Sequence, residues 1–252
     1  MKKQKVKVSN KNNVLPILIL LFAVFIGIFY FFQISSLNKE NKLAVDIELV
    51  KEETKLYKIS AEYPQIKKAS DNFNNEIKNT VDNKIKDFKK NVTGNWQIRE
   101  KNLSPEEKPA PNPDSPWPLN ITWTPEQLNN IYISFVMRMD SFEGGANEIQ
   151  DIVTFNYDLV NHKNINLSDL FPNDSNYLNE VSKYAIDTLT DNFKMSGNNN
   201  DIPEDMIKEG ASPKEENFKR FTFNDNIINF YFPKYQVTPG VFGEQKIVMP
   251  RK

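Results

Sequence analysis

Val45, Ile47 and Leu49 fall at every second position, and Tyr57, Ile59, Ala61 and Tyr63 repeat that spacing. A period of two is that of a strand turning one face to a core, so two strands are expected here, with Pro64 ending the second. From Gln65 the spacing lengthens. Ile66, Ala69, Phe73, Ile77, Val81, Ile85, Phe88 and Val92 recur at intervals of three or four through Asn- and Lys-rich filler. That is the stripe of an amphipathic helix of about seven turns, packed on its own sheet, with Gly94 as its stop.

Residues 103–119 hold six prolines and are expected to form a loop. Alternation then resumes at Leu119, Ile121 and Trp123. In the next stretch Ile131, Ile133, Phe135, Met137 and Met139 share one face, with Tyr132, Ser134 and Arg138 on the other. Val153, Phe155, Tyr157 and Leu159 mark a further strand. Between these last two lies "SFEGGANEIQD", residues 141–151, with the only Gly-Gly pair among eight glycines, which reads as a hairpin connection or a bulged strand. Past a turn at His162, a helix is expected over Ser175–Phe193, with Leu178, Val181, Ala185, Leu189 and Phe193 inward. "FKRFTFND", "NIINFYFP" and "KIVMP" close the chain as three strands, the first two joined by Asn224-Asp225-Asn226. The pattern is α+β: antiparallel sheets with two main packing helices.

The N-terminus follows a different pattern. Val14–Phe32 is a run of 19 residues without a charge, about 28 Å as a helix and close to the thickness of a bilayer's hydrocarbon core. Lys2, Lys3, Lys5, Lys7 and Lys11 precede it without an acid, which places the N-terminus in the cytoplasm. Bulky aromatics, Phe29 to Phe32, end the run where a cleavable signal would carry small residues, so an uncleaved single-pass transmembrane anchor is expected. The organisation is then a basic cytoplasmic tail (1–13), an anchor (14–32), a polar stalk (33–44) and two extracytoplasmic modules (45–118 and 119–252).

Composition narrows the chemistry. The 32 basic and 33 acidic residues nearly cancel, and setting aside the five lysines of the tail leaves six more acids than bases outside, which argues against nucleic acid as a partner. There is no cysteine, and His162 is the single histidine, in a polar turn, so no thiolate chemistry and no paired-histidine metal site is available. "GGANEIQD" precedes a strand and has no Lys, unlike a phosphate-binding loop. Glu52-Glu53, Glu106-Glu107 and Glu215-Glu216 are adjacent acids in polar stretches and read as solvated charges. Tyr231, Tyr235 and Phe242 are a candidate exposed aromatic face for a sugar or protein partner, against a plainer reading as core. No catalytic residue, metal or cofactor is expected.

Three stretches resemble a known family. "LYKISAEYPQI…FNNEI" (56–77) is similar to the start of the N-terminal module beside the catalytic domain of PdaC-type peptidoglycan deacetylases. "SFEGGANEIQDIVTFNYDLVNHKNINLSDLF" (141–171) resembles the module that follows it, which also forms the extracellular part of RsiV-type lysozyme-sensing anti-sigma factors. "YFPKYQVTPGVFGEQKIVMP" (231–250) resembles that module's closing strands. The positions carrying the motif are Gly144, Gly145, Ala146, Asn147, Asp169, Leu170, Phe171, Tyr235, Pro239, Gly243 and Pro250, and they are read as structural. Asn147 departs from the family's usual His. Thirteen residues are too few for a sigma-binding domain, and no deacetylase catalytic domain is expected either. The resemblance implies an extracytoplasmic binding module at the cell envelope, engaging peptidoglycan or a lysozyme-like protein. The alternatives are a wall-modifying hydrolase whose carboxylates are assembled by the fold, or a passive structural anchor.

Overall fold

The computed structural model describes residues 43–102, 116–195 and 202–251. The expected tail, the anchor at 14–32 and nearly all of the stalk lie outside them. Among the described residues no helix is long and apolar enough to cross a membrane. The stalk's last positions are part of the fold. Leu43 is buried in the first core, and the Ala44 carbonyl accepts the Lys67 N–H at 3.2 Å.

Six strands form the first sheet in chain order: β1 (Val45–Glu53), β2 (Tyr57–Ile66), β3 (Trp117–Leu128), β4 (Tyr132–Ser141), β5 (Ile149–Asp158) and β6 (Lys163–Asn164). Neighbours are antiparallel except β2 and β3, which run parallel from Tyr57↔Trp117 to Ala61↔Ile121. A parallel pair needs a crossover, and α1 (Asp71–Asn102) supplies it. β3, the opening of the second expected module, is therefore the third strand of the first sheet. Pro64 does not end β2. It lies past Ala61, the last residue paired with β3, so on that side its missing N–H costs no ladder bond.

Phe73, Ile77, Val81, Phe88 and Val92 of α1 are buried against Ile59, Ala61, Leu119, Ile121 and the inward residues of β4 and β5. Both expected helix ends are corrected. Ile66 belongs to β2, and the helix starts after Ser70, whose Oγ accepts the Phe73 N–H at 3.2 Å as an N-cap. At the other end the helix runs eight residues past Gly94. A helical glycine costs only ~1 kcal/mol, and the turn beyond it is held by Asn95, whose amide donates to the Glu143 carbonyl at 2.7 Å, and by Trp96, edge-on to Trp117. The apolar stripe of β1 is also corrected. As the edge strand it leaves Ile47 and Leu49 exposed, and Val45 and Val50 make its contact with the core.

The second sheet, β7 (Phe221–Phe223), β8 (Ile227–Phe232) and β9 (Gln245–Pro250), is antiparallel. Together with α2 (Tyr177–Met195) and the short α3 (Glu204–Gly210) it builds a second core around Phe218, Phe230 and Phe232. The Asn224 side chain closes the β7–β8 turn by accepting the Asn226 and Ile227 N–H groups. The fold of the described residues is thus α+β, rich in antiparallel pairing, with three α-helices.

β4 is covered on both faces. Ser134, expected on the polar side, is fully buried. Its hydroxyl donates to Asn156 Oδ1 (2.7 Å) and accepts the Phe223 N–H (2.8 Å), while the Asn156 amide donates to the Phe221 carbonyl (2.8 Å). The open edge of β7 thereby satisfies its backbone groups on side chains of the first sheet. Val136, Ile152 and Tyr231 form a small apolar cluster beside this seam.

Candidate binding cleft

Gly144–Asn147 lie in the β4–β5 connection. Gly144 has φ +86°, and a Cβ placed there would meet the Trp117 ring at 2.2 Å. Gly145 has open space and no such φ. One glycine of the pair therefore serves both a left-handed turn and the close approach of an indole. Just before it, buried Glu143 fastens the connection to α1. Its carboxylate accepts from Asn91 (2.9 Å) and Ser141 (3.3 Å) and lies 3.9 Å from the nearly buried Lys84 ammonium. Ala146 and Asn147 are exposed.

The β8–β9 connection holds Tyr235, Pro239 and Gly243. Tyr235 takes φ +73° and lays its ring where a Gly240 side chain would be, and Gly243 takes φ +68°. The expected aromatic face divides. Tyr231 is buried, its ring flanked by the Arg138 guanidinium at 5.4 Å and the Lys246 ammonium at 5.3 Å, whereas Tyr235 is 62% exposed and Phe242 lies at the surface beside Phe193. Arg138 is held by Glu244 through two hydrogen bonds of 2.8 and 3.2 Å. Pro250 ends β9, and His162 sits exposed in the β5–β6 turn with φ +51°.

Asp169, Leu170 and Phe171 do more. Asp169 accepts the Asn166 backbone N–H at 2.8 Å and a hydrogen bond from Lys163 at 3.1 Å. The backbone bond, then the lysine, hold its carboxyl below the ordinary value despite some burial. The carboxylate thereby shapes the one-turn 3-10 helix Leu167–Leu170. Phe171 stacks on Tyr177 at 5.2 Å. The segment so fixed, Asn166–Ser168 and Tyr177, forms one wall of a cleft of about 430 Å³ where the two cores meet.

The β5–β6 residues Thr154–Asn156 and Asn164 line the cleft, α1 contributes Phe73 and Glu76, and the segment before β7 contributes Glu215, Phe218 and Lys219. Two carboxylates thus share it. Glu76 accepts from the Asn164 amide at 3.0 Å, and Glu215 accepts from the Tyr177 hydroxyl at 3.2 Å. Burial and then this bond push the Tyr177 phenol up. Both glutamates are exposed to solvent. Sequence reasoning had no means of finding them. Glu76 belongs to the polar filler of an amphipathic helix, and Glu215 to an adjacent pair read as solvated charge. Among the described residues no three His, Asp or Glu side chains converge as metal ligands. The volume is that of a small-molecule or short-oligomer site.

Comparison with known proteins bears on the same segments. Residues 50–149 match the family described as Deacetylase PdaC, and residues 168–252 match the family described as Protein of unknown function (DUF3298). Over 238 residues, 90% of its length, the chain is 29% identical to peptidoglycan-N-acetylmuramic acid deacetylase PdaC of Bacillus subtilis, and it spans 46% of that relative's length. A crystal structure of a DUF3298 protein from Bacteroides fragilis aligns with a TM-score of 0.56 at 14% identity, covering 83% of this chain and 92% of its own. A second, from Pseudomonas aeruginosa, aligns at 0.50 and 13%, covering 82% and 90%. These likenesses concern the fold, and they extend well beyond residues 168–252 into the first sheet. The chain carries a PdaC-like domain followed by a DUF3298 domain, and the cleft residues Thr154–Asn156 and Asn164–Leu167 lie in the stretch between the two matched segments.

Proposed function

We propose that residues 43–252 are an extracytoplasmic module that binds cell-wall glycan in the cleft, tethered to the membrane through residues 14–32. The observation that carries this reading is the likeness, over 90% of the chain, to a protein named for its action on peptidoglycan N-acetylmuramic acid. The cleft supports it chemically. Its rim offers amides, hydroxyls and carboxylates, the groups that hydrogen-bond sugar hydroxyls, over a floor of buried Phe73, Phe155 and Phe218.

A hydrolase reading has one observation in its favour, the presence of Glu76 and Glu215 in one cleft. Both are open to water, whereas a general acid for glycoside cleavage needs a carboxyl in apolar enclosure. A lysozyme-like protein is the partner to weigh against glycan.

The test uses residues 43–252, which contain both hydrophobic cores entire. They are incubated with isolated peptidoglycan and titrated with lysozyme, following pull-down and release of soluble fragments. Saturable sedimentation with the wall and no release is expected. Fragment release would establish the hydrolase, and binding to lysozyme with none to the wall would make the ligand a protein.

A further inference from the structure

We infer that the cleft prefers amino sugars whose amine is free, as in de-N-acetylated wall glycan, with Glu76 and Glu215 receiving the ammonium groups. This rests on the wall-binding reading and sharpens it.

The argument begins with charge. Of the residues lining the cleft, Glu76, Glu215 and Lys219 are the charged ones, which leaves an excess of one negative charge. Some surface acids are neutralised by a cationic partner, as Asp82 is by Lys78, Asp187 by Lys183 and Glu204 by Lys208, while others, such as Glu48 and Glu100, stand on open surface outside the cleft. Among the described residues neither Glu76 nor Glu215 makes an ion pair. Each is held by a neutral donor, the Asn164 amide or the Tyr177 hydroxyl, through one oxygen. A neutral donor fixes a carboxylate's direction without cancelling its charge, so the second oxygen stays available to a cation. Stacking on Phe171 keeps the Tyr177 ring, and through it Glu215, in place.

An acetamido group presents one N–H and no charge, so it offers a carboxylate a single hydrogen bond. An ammonium presents three donors and a full positive charge, so ion–ion attraction is added to the hydrogen bonds it makes. The cleft therefore discriminates between the two states of one sugar nitrogen. The relative's name supplies a chemical counterpart, since removal of the acetyl group from N-acetylmuramic acid leaves such an amine.

The probes are glucosamine oligomers and N-acetylglucosamine oligomers of equal length, titrated calorimetrically at pH 6 into the 43–252 fragment. Variants Glu76→Gln, Glu215→Gln and the pair are compared with a control carrying Glu48→Gln and Glu100→Gln, two exposed acids outside the cleft. The amides keep the acceptor for Asn164 and Tyr177 while removing charge. At least tenfold tighter binding of the free-amine oligomer is expected, reduced to near parity in the double cleft variant and unchanged in the control. Equal affinity for the two oligomers overturns the inference, and so does a preference that survives the double variant or falls equally in the control. If the preference is absent while peptidoglycan still sediments the protein, the inference fails and the wall-binding reading stands. If neither oligomer nor wall binds, both fail.

Discussion

The Gly-Gly pair makes an internal control. In Gly144→Ala the new Cβ meets the far edge of the Trp117 ring at 2.2 Å, in a residue with φ +86°. Left-handed backbone costs an L-residue ~1–2 kcal/mol, and an inserted methyl that displaces packed neighbours costs ~1–3 kcal/mol more. Trp117 cannot simply swing away, because it packs edge-on against Trp96 at 5.8 Å and Phe142 at 5.7 Å. The sum is about 2–5 kcal/mol, with Tm falling ~2–4 °C for each kcal/mol in a domain of this size. Gly145→Ala meets nothing within 4 Å and stays within about 0.5 kcal/mol of the parent. The assay is urea unfolding of the 43–252 fragment followed by circular dichroism, since tryptophan fluorescence would report the ring's displacement as well as unfolding. A Trp117→Ala background separates the two contributions. With the indole gone, the cost of Gly144→Ala drops to the backbone part alone, a coupling of ~1–3 kcal/mol. Equal costs at the two glycines, or an undiminished cost in the Trp117→Ala background, would refute the close-approach account.

Glu143→Ala strips Asn91 and Lys84 of a buried acceptor; with Asp151 still 2.7 Å from Lys84, the loss is ~1–3 kcal/mol by urea unfolding. Asn156→Ala orphans the Phe221 carbonyl and one bond of Ser134, costing about as much again, and calorimetry is expected to resolve two transitions where the parent shows one. Asp169 has its folded pKa held below the ordinary 3.8, so the stability it adds is complete above that value and is lost as pH falls through the folded pKa. Asp169→Asn is thus less stable than the parent at pH 7, and the gap closes on acidification toward pH 2, read by thermal melts across the range; a constant gap would refute the assignment.

Spacing exposed the strands and the buried stripe of α1, because alternation and three-to-four periodicity are local consequences of one-sided burial. It could not place the helix ends. Ile66 continues the helical period although it ends a strand, and Gly94 is outweighed by contacts that Asn95 and Trp96 make with residues distant in the chain. The parallel pairing of β2 with β3 has no local signature either. Ser134 and Glu143 read as surface polar residues because burial of such groups depends on partners, Asn156 and Phe223 for one, Asn91 and Lys84 for the other, that the fold alone supplies. The cleft was half legible. Asp169 and Phe171, which hold one of its walls in place, stood out through a family resemblance, whereas Glu76 and Glu215 come from segments on opposite sides of the sequence.

The contact between the open edge of β7 and the side chains of Ser134 and Asn156 bears on inheritance. A recombination event that carried residues 168–252 alone into another gene would bring a three-stranded sheet with bare edge groups and no first sheet to meet them. Such sheets are marginal on their own and recruit foreign strands. Exchange that cuts within the 43–252 unit is therefore expected to cost more stability than exchange outside it. The two solved structures align over 82–83% of this chain rather than over its last third, so their likeness in fold takes in both sheets.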